Sequence, residues 1–280
     1  METDILEIYS NFVKPVLPFT YLVVLILVSF PLVAVIGFRI GAFERRRLGY
    51  EKLPADQIPG ATSLGAMLAL LGLLLGFAFN STINWRENRQ SELVNEANAI
   101  STAFLTASLL AEPNRTALQE KILIYGKTRL ATEVDIASVE SWKSFLTTTI
   151  QAQEAIWPAV ESALSDTTSD PIRATLVQSL THMLDAHNLR IAAAAQQIPT
   201  PAKLMISIAA IAALTIVGNR SALHGRPLTW RTIALALLLA VVIIVVFDMD
   251  RSLEGTMRMN PDTLLAVIHD MERTLTARAD

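Results

Sequence analysis

The chain has 280 residues, of which 52% are hydrophobic and 18% charged, with no cysteine and a net charge of −3. Soluble chains average about 45–50% apolar and about 25% charged residues, so this composition excludes a free cytosolic enzyme. The missing cysteines exclude a disulfide framework and thiolate chemistry, and the balance of charge gives no ground for a nucleic-acid partner.

A membrane-spanning helix needs roughly 20 apolar residues, because the hydrocarbon layer is about 30 Å thick at 1.5 Å rise per residue. Phe19 to Phe38 meets this with no charge before Arg39. Pro31 inside it predicts a kink, not a break, since neighbouring helices re-satisfy a freed carbonyl in lipid. The acidic stretch before it, with no small-residue cleavage site after the apolar run, does not read as a signal peptide. Gly60 to Ile83 is a second uncharged block. Residues 198–218 and 232–247 read as the third and fourth spans, leaving 248–280 as an amphipathic tail.

Between the two pairs of spans, Asn84 to Ala202 carries 9 Lys+Arg against 13 Asp+Glu, and its apolar residues recur at helical spacing. Leu93, Ala97, Ile100, Phe104 and Ala111 form one stripe. Pro113-Asn114 starts a second helix with Leu118, Ile122 and Tyr125 on one face. Ser138 caps a third with Trp142, Leu146, Ile156 and Val160 inward and Pro158 as a kink, and Asp170-Pro171 opens a fourth. No stretch alternates with period two. The expected fold is all-α: two pairs of transmembrane helices flanking an extramembrane antiparallel helical bundle over 84–197. From Gly60 to Ala111 there is no proline and no glycine after Gly76, so the second span is expected to run unbroken into the first bundle helix.

Two short loops, 42–59 with Arg45, Arg46, Arg47 and Lys52, and 219–231 with Arg220, Arg226 and Arg231, are basic. Basic residues in short loops favour the cytoplasm, which places the bundle and both termini on the opposite side.

Gly65, Ala69, Gly72 and Gly76 put small residues along one face of the second span. In lipid such a strip lets helices approach closely, either as a packing seam within one subunit or as a contact around an axis. In the second case Leu70, Leu71, Leu74, Leu75, Phe77 and Phe79 are candidates for an apolar constriction, which gates by dewetting. A polar cluster follows: Asn80, Arg86, Arg89, Asn95, Glu96 and Asn98. A polar amide at the end of a span is costly unless paired or wet, and Arg86 and Arg89 suit interface anchors. For Asn95-Glu96-Ala97-Asn98, a buried network is favoured over a ligand site. Asp248, Asp250 and Glu254 after the fourth span offer three carboxylates where calcium takes six to eight oxygen ligands; an ion-paired turn ending at Gly255 is the preferred reading. His182 and His187 point about 140° apart on a helix and form no metal pair. His187 is expected in the core or at the edge of the bundle. No phosphate loop, dinucleotide fingerprint, HExxH or nucleophile elbow occurs, so no catalytic residue and no cofactor is expected.

The stretch from Leu71 to Ile100 resembles the second span of bestrophin channels and its continuation, where an Arg-Trp-Trp-Glu-x-Arg run follows an Asn-bearing stretch. Trp85, Glu87 and Arg89 fit that run, whereas Asn84 stands in place of its first Arg and Arg86 in place of its second Trp. Glu96-Ala97-Asn98-Ala99-Ile100 and Asp248-x-Asp250-Arg251-Ser-Leu-x-Gly255 are similar to two signatures of the bacterial bestrophin-like membrane proteins. The resemblance implies a homo-oligomer, a pentamer, that passes inorganic anions across the bacterial inner membrane. The second spans would line the pore, with a neck of three residues at spacing four. One register gives Leu70, Leu74 and Ala78; the other gives Ala69, Leu73 and Phe77. Bestrophins keep their helical domain in the cytoplasm, opposite to the side that loop charge favours here. On periodicity alone, a membrane-anchored helical sensor or scaffold without a pore is the alternative.

Overall fold

The computed structural model describes residues 18–47, 61–131, 135, 138–164, 169–252 and 255–279. No strand occurs among them. In chain order the helices are α1 (Phe19–Arg47), α2 (Ala61–Ala107), α3 (Asn114–Lys127), α4 (Val139–Glu154), α5 (Ile156–Ala163), α6 (Asp170–Ala195), α7 (Thr200–Leu223), α8 (Trp230–Asp250) and α9 (Asp262–Ala279). Four helical stretches are long and apolar enough to cross a membrane, and their apolar segments lie in α1, α2, α7 and α8.

Several boundaries follow from local chemistry. Pro31 is accommodated inside α1 without ending it. α2 is a single helix of 47 residues, as the absence of internal breakers predicts. It ends at Ala107, short of Ala111, in a tightened turn where Ser108 N–H donates to the Leu105 carbonyl at 3.0 Å. Ala111 is therefore exposed and Leu110 takes the buried position. Ser138 caps α4 reciprocally with Ser141, satisfying two orphan donors of the first turn. Pro158 does more than kink: α4 stops at Glu154 and α5 begins at Ile156. Proline removes the bond to the carbonyl four residues back and clashes with it, and that carbonyl is Glu154's.

The helices are longer than the apolar runs alone indicate. α1 extends to Arg47, so Arg45, Arg46 and Arg47 form its last turn. α7 extends to Leu223, and α8 includes Asp248 and Asp250 in its last turn. Lys52 and Glu254 lie outside the described residues.

The described residues divide into two units built from interleaved segments, one from the stretches up to 85 and 197–257, the other from 86–196 and the stretch from 258 on. In the first, Ile26 and Phe30 of α1, Leu71 and Leu75 of α2, Ile206, Ala210 and Leu214 of α7 and Ala236, Ala240 and Ile243 of α8 share a core. α1 and α7 pack with almost no side chain between them. A Cβ added at Gly37 would stand 2.2 Å from the Thr215 carbonyl oxygen, and one at Gly218 2.0 Å from that of Ala34. In the second unit, Leu93, Ile100 and Phe104 of α2 meet Leu118 and Ile122 of α3, Ile156 and Val160 of α5 and Leu176, Leu180 and Met183 of α6. The C-terminal segment expected as a tail is the helix α9, which inserts Leu264, Ile268 and Met271 into this core. Gln119 is fully buried; its amide donates to the Phe104 carbonyl at 3.0 Å and accepts from Arg278 at 2.7 Å.

Candidate functional site

Successive residues of an α-helix turn by about 100°, so α2 has two opposite faces whose surroundings can be compared along its length. Leu71, Leu75, Ala78, Thr82, Arg89, Leu93, Glu96, Ile100, Ala103 and Ala107 recur on one face, and all are buried. Ala69, Leu73, Asn80, Glu87, Ser91, Asn98 and Leu105 fall within about 20° of the opposite direction, and every one is exposed. The protomer thus covers one stripe of α2 and leaves the other bare.

This division separates the two neck registers. Leu73 is 54% exposed and Phe77 65%, and Ala69 is exposed with them. Leu70 begins exposed, but Leu74 packs against the core and Ala78 is 9% exposed. That second register rotates into the protomer. Leu71 and Leu75, also candidates for a constriction, are core residues. A Cβ at Gly65, Gly72 or Gly76 would meet no described atom within 4 Å. Among the described residues, then, nothing packs on the glycines of this strip; Gly37, Gly41 and Gly218 make the close approaches. The signal was present as a second glycine pair at spacing four, Gly37 at the end of the first apolar run and Gly41 just past it.

The polar cluster beyond the span divides the same way. Asn80 and Asn98 lie on the bare stripe. Asn95 is half-buried and donates to the Glu92 carboxylate at 3.2 Å. Arg86 is half-buried, and Arg89 is 2% exposed with its guanidinium donating to the Gln196 carbonyl at 3.2 Å.

Glu96 is the buried centre of a charged network that draws on three helices. Its Oε1 accepts from Arg129 Nε at 2.7 Å and its Oε2 from Arg190 at 2.5 Å. The Tyr125 hydroxyl donates to Oε1 at 3.4 Å and lies 3.1 Å from His187 Nδ1. A second Arg190 nitrogen donates to the Arg129 carbonyl at 3.3 Å. Burial alone would raise the Glu96 pKa, but Arg129, the His187 hydrogen bond and Arg190 together hold it well below the carboxylate range. Burial pushes the Tyr125 phenol up. It pushes His187 down, against the pull of the Glu96 hydrogen bond and with the help of Arg129. Two guanidiniums face one carboxylate, so a neutral His187 avoids adding a third positive charge to a buried site. Of the expected cluster, Glu96 is the residue at the centre of this network. Tyr125 reads in the sequence as a core residue, and Arg129 and Arg190 carry no periodic signal that would pair them with a residue 33 or 94 positions earlier.

The acids at the end of α8 have protein donors. Asp250 accepts from the Ile198 N–H and from Lys203 Nζ, both at 2.6 Å. Asp248 accepts from the Thr256 N–H at 2.9 Å and from the Thr256 hydroxyl. Gly255 has φ +111°, and a Cβ there would collide with Asp248 Oδ1. These oxygens fasten a turn and the approach to α7.

No functionally curated protein matches the sequence. The fold is similar to the crystal structure of a bacterial bestrophin homolog from Klebsiella pneumoniae, with a TM-score of 0.63 at 12% identity over 90% of this chain and 96% of that one. A point variant of the same Klebsiella pneumoniae protein matches with a TM-score of 0.63 at 12% identity over 91% of this chain and 99% of the other. The model of the bestrophin-like domain matches residues 17–264. An all-helical chain with four apolar spans, the second of them continuous with the bundle, thus belongs to the bestrophin-like family.

Proposed function

We propose that this protein is a homo-oligomeric ion channel of the bacterial inner membrane, in which the bare stripe of α2 from each copy faces a shared axis. Membership of the bestrophin-like family and the fold support an ion channel in general. The observation that carries the pore assignment is the exposure of Ala69, Leu73, Asn80, Glu87, Ser91 and Asn98 opposite the buried face of the same helix. In this reading Ala69, Leu73 and Phe77 form the apolar neck. Gly65, Gly72 and Gly76, open in the protomer, let α2 of the neighbouring copy approach, since small residues permit close backbone contact in lipid. Family kinship supports five copies and, taken alone, anions. The charge carried by the stripe bears on the second point. The buried Glu96 network, Arg86 and Arg89 have supporting roles, holding the stripe outward. Residues 84–197 form the extramembrane part, and the basic ends of α1 and α7 favour the cytoplasmic side.

The test is cryo-electron microscopy of the detergent-purified protein, at a resolution sufficient to count copies and trace α2. Five copies with α2 innermost are expected. A monomer or dimer without a central opening would overturn the channel and leave a membrane-anchored helical sensor or scaffold.

A further inference from the structure

Within about 60° of the direction opposite its buried face, α2 carries one ionisable residue, Glu87, among Gly65, Ala69, Leu73, Gly76, Phe77, Asn80, Asn84, Ser91, Asn98 and Thr102. The other charges of this helix are turned aside. Arg89 and Glu96 are buried on the inward face. Arg86 and Glu92 are half-buried and flank that face about 60° to either side. The run Trp85-Arg86-Glu87-Asn88-Arg89 is basic in composition, yet the fold presents its single acid outward and draws its two arginines in.

We infer that Glu87 forms a ring of carboxylates on the conduction path and makes the channel favour small inorganic cations over anions. The inference rests on the α2-lined pore proposed above. Ten residues separate Glu87 from Phe77, about 15 Å along the axis, so the ring lies beyond the apolar neck. Rings of Asp or Glu concentrate cations and repel anions, whereas an apolar constriction sets passage through wetting. The two devices divide the work: Ala69, Leu73 and Phe77 govern how much passes, and Glu87 governs the sign of charge. Neutral Asn80, Asn84, Ser91 and Asn98 around it supply hydrogen bonds of either polarity and do not cancel the ring. Because the carboxylates are exposed, their effect weakens with salt, the Debye length being about 10 Å at 0.1 M and about 3 Å at 1 M.

The experiment is a reversal-potential measurement on the full-length protein in planar bilayers across a potassium chloride gradient, for wild type, Glu87→Gln and Glu87→Lys. All three are checked to elute as the same oligomer. Wild type is expected to reverse on the potassium side, Glu87→Gln to move towards zero, and Glu87→Lys to cross to the chloride side. The wild-type preference should shrink as salt is raised on both sides. A wild-type current reversing on the chloride side, or one unmoved by both substitutions, overturns the role of Glu87 while leaving a channel. An intact oligomer that carries no current overturns the pore itself, and this inference with it.

Discussion

Glu96 is where single residues matter most, because its charge is held by position alone. With no exposure and two guanidiniums against it, removing the carboxylate leaves one buried and one half-buried cation without their shared counter-ion. Breaking a buried pair in this way costs about 3–5 kcal/mol. Glu96→Gln should therefore lower the melting temperature in detergent far more than Asn98→Ala on the bare stripe, as differential scanning fluorimetry would read. The network also sets a pH dependence. His187 has its pKa lowered from 6.5 and Glu96 from 4.5, so between folded and unfolded values the unfolded chain binds more protons. Stability then rises with pH. It is complete above about 6.5, falls as the pH drops from there towards the folded pKa of His187, and falls again below about 4.5 through Glu96. Melting curves from pH 8 to 4 should show both losses in wild type, and His187→Gln should remove the upper one.

Elements were legible in the sequence where one local rule decides them. The Ser138 cap, the Asp170-Pro171 start and the unbroken course of α2 are of that kind. The contact faces of the spans were not, because a glycine pair at spacing four signals close packing without naming the partner. Gly37 and Gly41 find α7, with Gly218 reciprocating, whereas Gly72 and Gly76 find no partner among the described residues of the protomer. The choice between the two candidate neck registers rests on the same knowledge, since two sets one residue apart differ only in which way the protomer turns them. Gly218→Ala drives a methyl into the Ala34 carbonyl and should destabilise by about 1–3 kcal/mol, the usual cost of overpacking. Gly72→Ala should leave the protomer's melting unchanged and shift the oligomer towards smaller species, as native mass spectrometry in detergent would register.

For the molecule as a whole, the inward and outward stripes of α2 should respond to the same chemistry in opposite ways. Leu73→Ser places a hydroxyl on the bare face and is expected to raise single-channel current by easing wetting of the neck. Leu75→Ser puts it into a core position that is 8% exposed and should lose folded protein instead, since an unpaired buried hydroxyl costs about 1–3 kcal/mol on top of the lost packing. Equal loss of protein from both would show that the bare face is itself an interior surface. The charges of the bundle were the least readable part in advance. Counting acids and bases between residues 84 and 202 shows an acidic excess, but the buried centre is the reverse, one carboxylate among two arginines.

That centre also orders events during synthesis. Glu96 leaves the ribosome 33 residues ahead of Arg129 and 94 ahead of Arg190. At about 5–20 residues per second, the second guanidinium arrives roughly 5–20 s after the carboxylate it neutralises. Until then, burying Glu96 would leave a carboxylate without its counter-ions, which is costly. The carboxylate and the arginines that hold it in the finished protein thus come from stretches made at separate times, and α6 must be in place before Glu96 has both of its partners.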